Sequence, residues 1–233
     1  MVKLFEIDSY LKEFETNVVH VDTENRMLVL EDTSFYARSG GQPGDTGVME
    51  INEEKIRVLD TIKKNDSICH IVEDIKNIKI DKKIKGIINW NNRYKYMKMH
   101  SALHLMCSII PMDVTGNQIG LEKSRIDFND PEKKINKEEV EKKLNLLIDE
   151  DHKITYEIID SKILKEKPEI IRSMSVKPPE INGKIRLIRI GNIDLQPCGG
   201  THVKSTIEIG KIKIGKIENK GKMNRRVNIT ISD

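Results

Sequence analysis

The hydrophobic period of this chain changes once, at Trp90, and that change limits the folds open to it more than any other feature. Between Asn17 and about Ile88 the runs VVHV, MLVL, VMEI, KIRVLDTI, ICHIV and IKGII alternate apolar with polar residues. Turn residues such as Glu24-Asn25, Ser39-Gly40-Gly41 and Lys64-Asn65-Asp66 separate them. Period two broken at this spacing predicts short antiparallel strands that form a small barrel or sandwich. From Trp90 the apolar and histidine positions fall three and four apart, with Asn91 or Asn92 as the expected cap of a helix running to about Ile109, ahead of Pro111. A second helix is expected with Asn136 as cap, Glu139 three residues on, and Val140, Leu144, Leu147 and Ile148 on one face. A strand from Ile154 to Ile159, a short helix near Ser161 to Lys167 and a segment holding Pro168, Pro178 and Pro179 follow. Strand patterns then return in KIRLIRI, NIDL, IKIGKI and RRVNITI. The expected layout is a β domain over residues 1–88 and an α+β domain over 89–233.

With 233 residues the chain can bury a core without disulfide staples, and its three cysteines are too few and odd in number for a secreted disulfide framework. A reducing, cytoplasmic setting is therefore expected. No run approaches the ~18 apolar residues of a membrane helix, so no membrane partner is expected. The net charge of +3, from 40 basic and 37 acidic residues, excludes a polycation that holds acidic polymers by bulk charge. An acidic partner must be met by a local patch.

Two short motifs carry the chemistry. His100 and His104 in HSALH are four apart on the first predicted helix, which stacks both imidazoles on one face. Cys198 and His202 in PCGGTH repeat that interval, with Gly199 and Gly200 expected to let the backbone curl between them. Each pair alone is ordinary. Together they make a His3Cys set suited to one tetrahedral zinc ion per chain. Cys107, three residues after His104, is a competing ligand whose simpler reading is a buried small hydrophobe. The residue after His100 is Ser101, where a zinc protease carries its glutamate base, so the protease reading fails there. Four protein ligands would close the site, as in a structural zinc, whereas a catalytic zinc keeps a position open.

The stretch FYARSGGQPGDTG, residues 35–47, reads either as a hairpin turn or as a backbone-rich surface for another chain. Its spacing fits neither a Rossmann nor a P-loop cradle, so no nucleotide cofactor is expected. From Val203 to Arg226 eight basic residues (Lys204, Lys211, Lys213, Lys216, Lys220, Lys222, Arg225, Arg226) face two acids (Glu208, Glu218). Lysine at alternate positions is ordinary for a solvated strand edge; a phosphate-tracking patch is the functional alternative.

In their order, SGGQPGDTG, HSALH, CGGTHV and RRV resemble the editing region of alanyl-tRNA synthetases. With no aminoacylation domain present, the chain is most similar to the free-standing alanyl-tRNA editing proteins of AlaX type, in their medium-length form. The resemblance spans about Thr33 to Val227 and implies a barrel-like antiparallel β domain followed by a two-layer α+β editing domain of the type common to threonyl- and alanyl-tRNA synthetases. It implies zinc on His100, His104, Cys198 and His202, and a monomer acting on mischarged tRNA(Ala) by hydrolysing the ester of wrongly attached serine, and in some members glycine. It also implies substrate recognition by Gln118 and Thr115, near Asn117, and contacts to tRNA or substrate from Gly40, Gly41, Gln42, Gly44, Asp45, Arg225 and Arg226. Arg38 stands where many relatives have an acid. The activity is physically sensible, because a pocket sized for alanine cannot exclude glycine and rejects serine weakly, while a site that bonds the serine hydroxyl can reject alanine by ~10⁴ or more. The alternative is a zinc-stabilised RNA-binding module without catalysis. A third reading, a metallohydrolase of small esters or peptides, would act without tRNA.

Overall fold

The computed structural model describes residues 1–51, 54–75, 78–163 and 180–232, with the side chain of Ile181 left aside. Two compact units result, Met1–Lys95 and Tyr96–Asp233. The division falls inside a helix, seven residues beyond the expected junction after residue 88.

The first unit contains β1 (Val2–Lys3), α1 (Leu4–Ile7), β2 (Glu13–Asp22), β3 (Met27–Leu30), β4 (Asp32–Thr33), β5 (Gly47–Ile51), β6 (Glu54–Lys64), β7 (Ser67–Val72) and β8 (Lys83–Ile88). Six of these strands close a barrel in the order β2-β3-β7-β6-β5-β8. Closure comes from β8, which pairs with β2 (Glu13 to Ile87) on one edge and with β5 (Gly47 to Ile88) on the other. All six alternating runs lie in these strands. Their inward residues, among them Phe14, Val18, Leu28, Leu30, Met49, Val58, Val72 and Ile84, form one core with Phe35 from the loop after β4. His70 is wholly buried in it. Its Nδ1 lies 3.0 Å from the Leu28 carbonyl and its Nε2 2.9 Å from the Thr33 hydroxyl. A carbonyl only accepts, so Nδ1 carries the proton and Thr33 donates to Nε2. Burial holds the imidazole neutral, down to about 4 from 6.5.

Helix α2 (Trp90–Ile109) follows. Its cap is Asn89, whose Oδ1 accepts from the Asn92 amide at 3.3 Å, rather than Asn91 or Asn92 as expected. From Met99 to Cys107 every residue is buried, so this part of the helix is enclosed on all sides.

The rest of the second unit holds β9 (Val114–Gln118), β10 (Ser124–Asn129), α3 (Lys137–Asp149), β11 (Ile154–Asp160), β12 (Glu180–Ile181), β13 (Lys184–Ile190), β14 (Asp194–Pro197), β15 (Ile212–Ile214), β16 (Glu218–Lys220) and β17 (Asn224–Ile231). One sheet runs β15-β17-β10-β9 with β16 on β17; the other runs β11-β13-β12 with β14 on β13. Asn136 caps α3 as expected, accepting from the Glu139 amide at 3.1 Å. Val140, Leu144 and Ile148 face inward, and Leu147 is half-buried. The same helix shields a sheet edge: Asn145 bonds both the amide and the carbonyl of Ile212 at 2.9 Å, and Glu141 accepts from the Ile214 amide at 2.7 Å. The short helix expected near Ser161 to Lys167 falls largely outside the described residues, as does the Pro168 to Pro179 segment. Among the described residues no helix is long and apolar enough to cross a membrane. The architecture is of the α+β class with a closed barrel, and the barrel-or-sandwich alternative is resolved in favour of the barrel.

Candidate functional site

Helix α2 sets His100 and His104 one turn apart, and Cys198 and His202 reach the same point from the turn that follows β14. The ligand atoms of these four residues lie within 4.8 Å of one another. Cys198 Sγ is 3.5 Å from His100 Nε2 and 3.4 Å from His202 Nε2. The three imidazole centroids are 4.3 to 5.3 Å apart. Three nitrogens from buried histidines and a sulfur from a half-buried cysteine, converging on one point, fit zinc in number and type. Cys107 is buried on α2 and is not a member of this cluster.

Electrostatics prepare the Cys198 thiolate for ligation, while His104 must give up a proton before it can bind a metal. Burial opposes the Cys198 thiolate, but the facing His100 and His202 imidazoles outweigh it and hold the thiol well below its ordinary range. Burial likewise opposes charge on His104, yet the Asp194 carboxylate and the Cys198 sulfur push it up to about 10. Burial lowers His202.

Gly199 and Gly200 are not among the glycines of positive φ, so the expected curl does not come from left-handed glycine. Arg186 shapes the turn instead, its Nη1 donating to the Cys198 and Gly200 carbonyls at 2.9 and 3.0 Å. The Gly200 amide donates to Cys198 Sγ at 3.3 Å. Two further residues touch the imidazoles. Asp194 Oδ2 lies 3.3 Å from His104 Nδ1, and Ser101 Oγ lies 3.1 Å from His202 Nδ1. Sequence reasoning used Ser101 only against a protease and passed over Asp194; the signal available was its i, i+2 spacing with Gln196 on the strand leading into Cys198.

Gln118 and Thr115 stand on β9, with Asn117 and Gln118 exposed. Arg125 Nε donates to Gln118 Oε1 at 3.2 Å, and Thr115 Oγ1 donates to the Asp127 carbonyl at 3.2 Å. Asp127 joins this strand pair to β17, accepting from Arg125 at 2.7 Å and from Arg226 Nε and Nη2 at 2.8 and 2.9 Å. Burial opposes its charge, but the two guanidiniums hold it below the usual carboxylate range. Of the two arginines expected to contact tRNA, Arg226 is engaged by this carboxylate and Arg225 is buried at 3% exposure. The exposed positive groups of the segment are Lys204, Lys211, Lys213, Lys216, Lys220 and Lys222.

Gly40 and Gly41 are exposed and take positive φ, 56° and 84°, in a tight turn closed by the Ser39–Gln42 bridge. Gln42, Gly44 and Asp45 are buried. Any Cβ at Gly44 would fall on the Thr61 carbonyl oxygen. Asp45 is locked in an ion pair with Arg93, which sequence reasoning missed: Nε lies 3.0 and 2.9 Å from the two carboxylate oxygens and Nη2 also bonds Oδ2. The same guanidinium donates to the carbonyls of Ser9 and Ser34, and the Tyr36 amide donates to Asp45 at 2.6 Å. Asp45 therefore builds the barrel unit, and a direct contact to RNA would have to break this pair. Arg38 is exposed and pairs with Asp60.

Two family models match: "tRNA synthetases class II (A)" over residues 4–92 and "Threonyl and Alanyl tRNA synthetase second additional domain" over 185–228. The barrel unit and the cluster-bearing unit thus each match a domain model of the tRNA synthetases. Among similar proteins, Alanyl-tRNA editing protein AlaX-M of Methanosarcina mazei is 38% identical over 99% of this chain and 96% of its own length. AlaX-L of Pyrococcus horikoshii is 36% identical over 96% of this chain and 56% of its own. The alanine–tRNA ligase of Pyrococcus abyssi is 30% identical over 92% of this chain and 24% of its own. The chain belongs to the AlaX family of alanyl-tRNA editing proteins.

Proposed function

We propose that this protein is a zinc-dependent trans-editing hydrolase that removes serine from mischarged tRNA(Ala) in the cytoplasm, with glycine, removed by some members of the family, as the second substrate to test. The observation that carries the reading is the buried His100–His104–Cys198–His202 cluster, in a chain whose full-length relatives bear the name alanyl-tRNA editing protein. The bond cleaved is the ester between the amino acid and the terminal ribose. Zinc held by His100, His104, Cys198 and His202 would supply a Lewis acid that orients or polarises the aminoacyl group where a coordination position is open to it, by loss of one protein ligand or expansion to five. Gln118 and Thr115 provide the polar contacts that read the serine hydroxyl. Arg125 occupies the Gln118 carbonyl oxygen, so its amide N–H groups are the part left to face substrate. Rejection of alanine follows because its methyl group would leave such a partner unsatisfied. The six exposed lysines between Lys204 and Lys222 supply the phosphate-facing charge, and Gly40 and Gly41 offer backbone at the surface. In domain terms, residues 1–88 serve as the β domain and 89–233 as the editing domain.

The test is release of amino acid from Ser-tRNA(Ala), Gly-tRNA(Ala) and Ala-tRNA(Ala) by the purified chain. Serine release that a chelator abolishes, with Ala-tRNA(Ala) spared, is expected. Tight tRNA binding with no serine release above the chelated control would instead make the cluster a structural zinc in an RNA-binding module.

A further inference from the structure

Strand β14 carries more than the approach to Cys198. Its period of two places Asp194 and Gln196 on one face, and both are buried, at 6% and 8% exposure. Register with β13 fixes them, Asp194 opposite Ile190 and Gln196 opposite Ile188. Gln196 Nε2 donates to both Asp194 oxygens, at 2.8 and 2.9 Å, and Asp194 Oδ2 meets His104 Nδ1 at 3.3 Å. An ionised carboxylate only accepts, so the proton of a neutral His104 sits on Nδ1 and the lone pair on Nε2. Ser101 makes the matching contact on the other side. Its Oγ accepts from the Val203 amide at 3.3 Å and lies 3.1 Å from His202 Nδ1, while His202 Nε2 is the atom turned to Cys198.

Resting on the metal reading above, we propose that Asp194, braced by Gln196, is a positioning residue that holds the His104 imidazole in its Nδ1–H tautomer for metal binding through Nε2, and that Ser101 does the same for His202. An imidazole whose second nitrogen is tied down keeps its lone pair aimed, and a carboxylate there raises its basicity as a ligand.

The experiment measures metal and not deacylation: zinc affinity by chelator competition, the visible spectrum of the cobalt-substituted protein, and the His104 tautomer by ¹⁵N NMR, all on the full chain. Asp194→Asn and Asp194→Ala are expected to weaken zinc binding ~10–100-fold and to shift the cobalt bands. Gln196→Ala, which touches no imidazole, and Ser101→Ala are each expected to weaken it by about threefold or more. Asp194→Asn binding zinc within about twofold of the parent, with an unchanged cobalt spectrum, overturns the proposal even if its melting temperature drops. Should the Asp194 variants fail to fold, Gln196→Ala decides on the same criterion. A parent chain that takes up no zinc overturns the metal reading itself, and is distinguished by the parent measurement alone.

Discussion

Replacing Asp45 separates a structural from an RNA-contact role for the glycine motif. The Asp45 and Arg93 side chains are 1% and 0% exposed, so Asp45→Ala leaves a guanidinium in the barrel unit with only the Ser9 and Ser34 carbonyls among its bonded partners given above. Breaking one side of a buried pair costs about 3–5 kcal/mol, because the remaining charge stays desolvated. The Tyr36 amide loses its acceptor as well, which adds on the order of 1 kcal/mol. Against a total stability of about 5–15 kcal/mol this is a large fraction. The total of about 4–6 kcal/mol corresponds to a fall in melting temperature of roughly 8–24 °C for a chain of this size. The assay is urea and thermal denaturation of parent, Asp45→Ala, Arg93→Met and the double variant. The double variant is expected to lose less than the sum of the singles, since removing both groups leaves no stranded charge. Asp45→Ala within about 1 kcal/mol of the parent, with deacylation of Ser-tRNA(Ala) selectively lost, would refute the structural role and restore the direct RNA contact.

Other perturbations follow from the same geometry. Cys198→Ala should lose stoichiometric zinc by elemental analysis while Cys107→Ala keeps it; the reverse result would mean a wrong ligand set. His70 is neutral when folded, so its linkage runs one way: it has no effect above about pH 7, stability falls between pH 6.5 and about 4 as the unfolded imidazole takes a proton the folded one refuses, and the loss levels off below. The full drop is on the order of 3 kcal/mol, read as the difference in pH slope between parent and His70→Gln in urea melts. Reversing Lys213, Lys216 and Lys220 to Glu should raise KM for the aminoacyl-tRNA and flatten its salt dependence by about one unit of log–log slope per lost phosphate contact, leaving kcat near the parent value. An unchanged salt slope would place the tRNA backbone elsewhere. Gly44→Ala should destabilise by more than about 1 kcal/mol, because a Cβ there meets the Thr61 backbone, and a neutral result in thermal melts would contradict that packing.

The local elements were legible from the chain because their causes are local. Alternation fixed the inward faces of the barrel strands, the Asn136–Glu139 spacing capped α3, and the i, i+4 histidines of α2 announced a pair that meets Cys198 and His202, which share the same interval. Chain chemistry alone also named the His3Cys set, since few residue types bind a soft divalent ion and each occurs here at a helical or turn spacing. What tertiary structure decided were the partners lying far apart in sequence. Closure of the barrel depends on β8 pairing at both edges, which no run of residues encodes by itself. Asp45 read as a surface turn residue because Arg93, which neutralises it, sits 48 residues away. The surroundings of Arg225 and Arg226 were set only when β17 paired with β10, burying one and placing the other against Asp127. The physical reason is common to all three: composition gives a charge its sign, but only the folded chain supplies the dielectric and the countercharge that determine whether it is a contact or a brace.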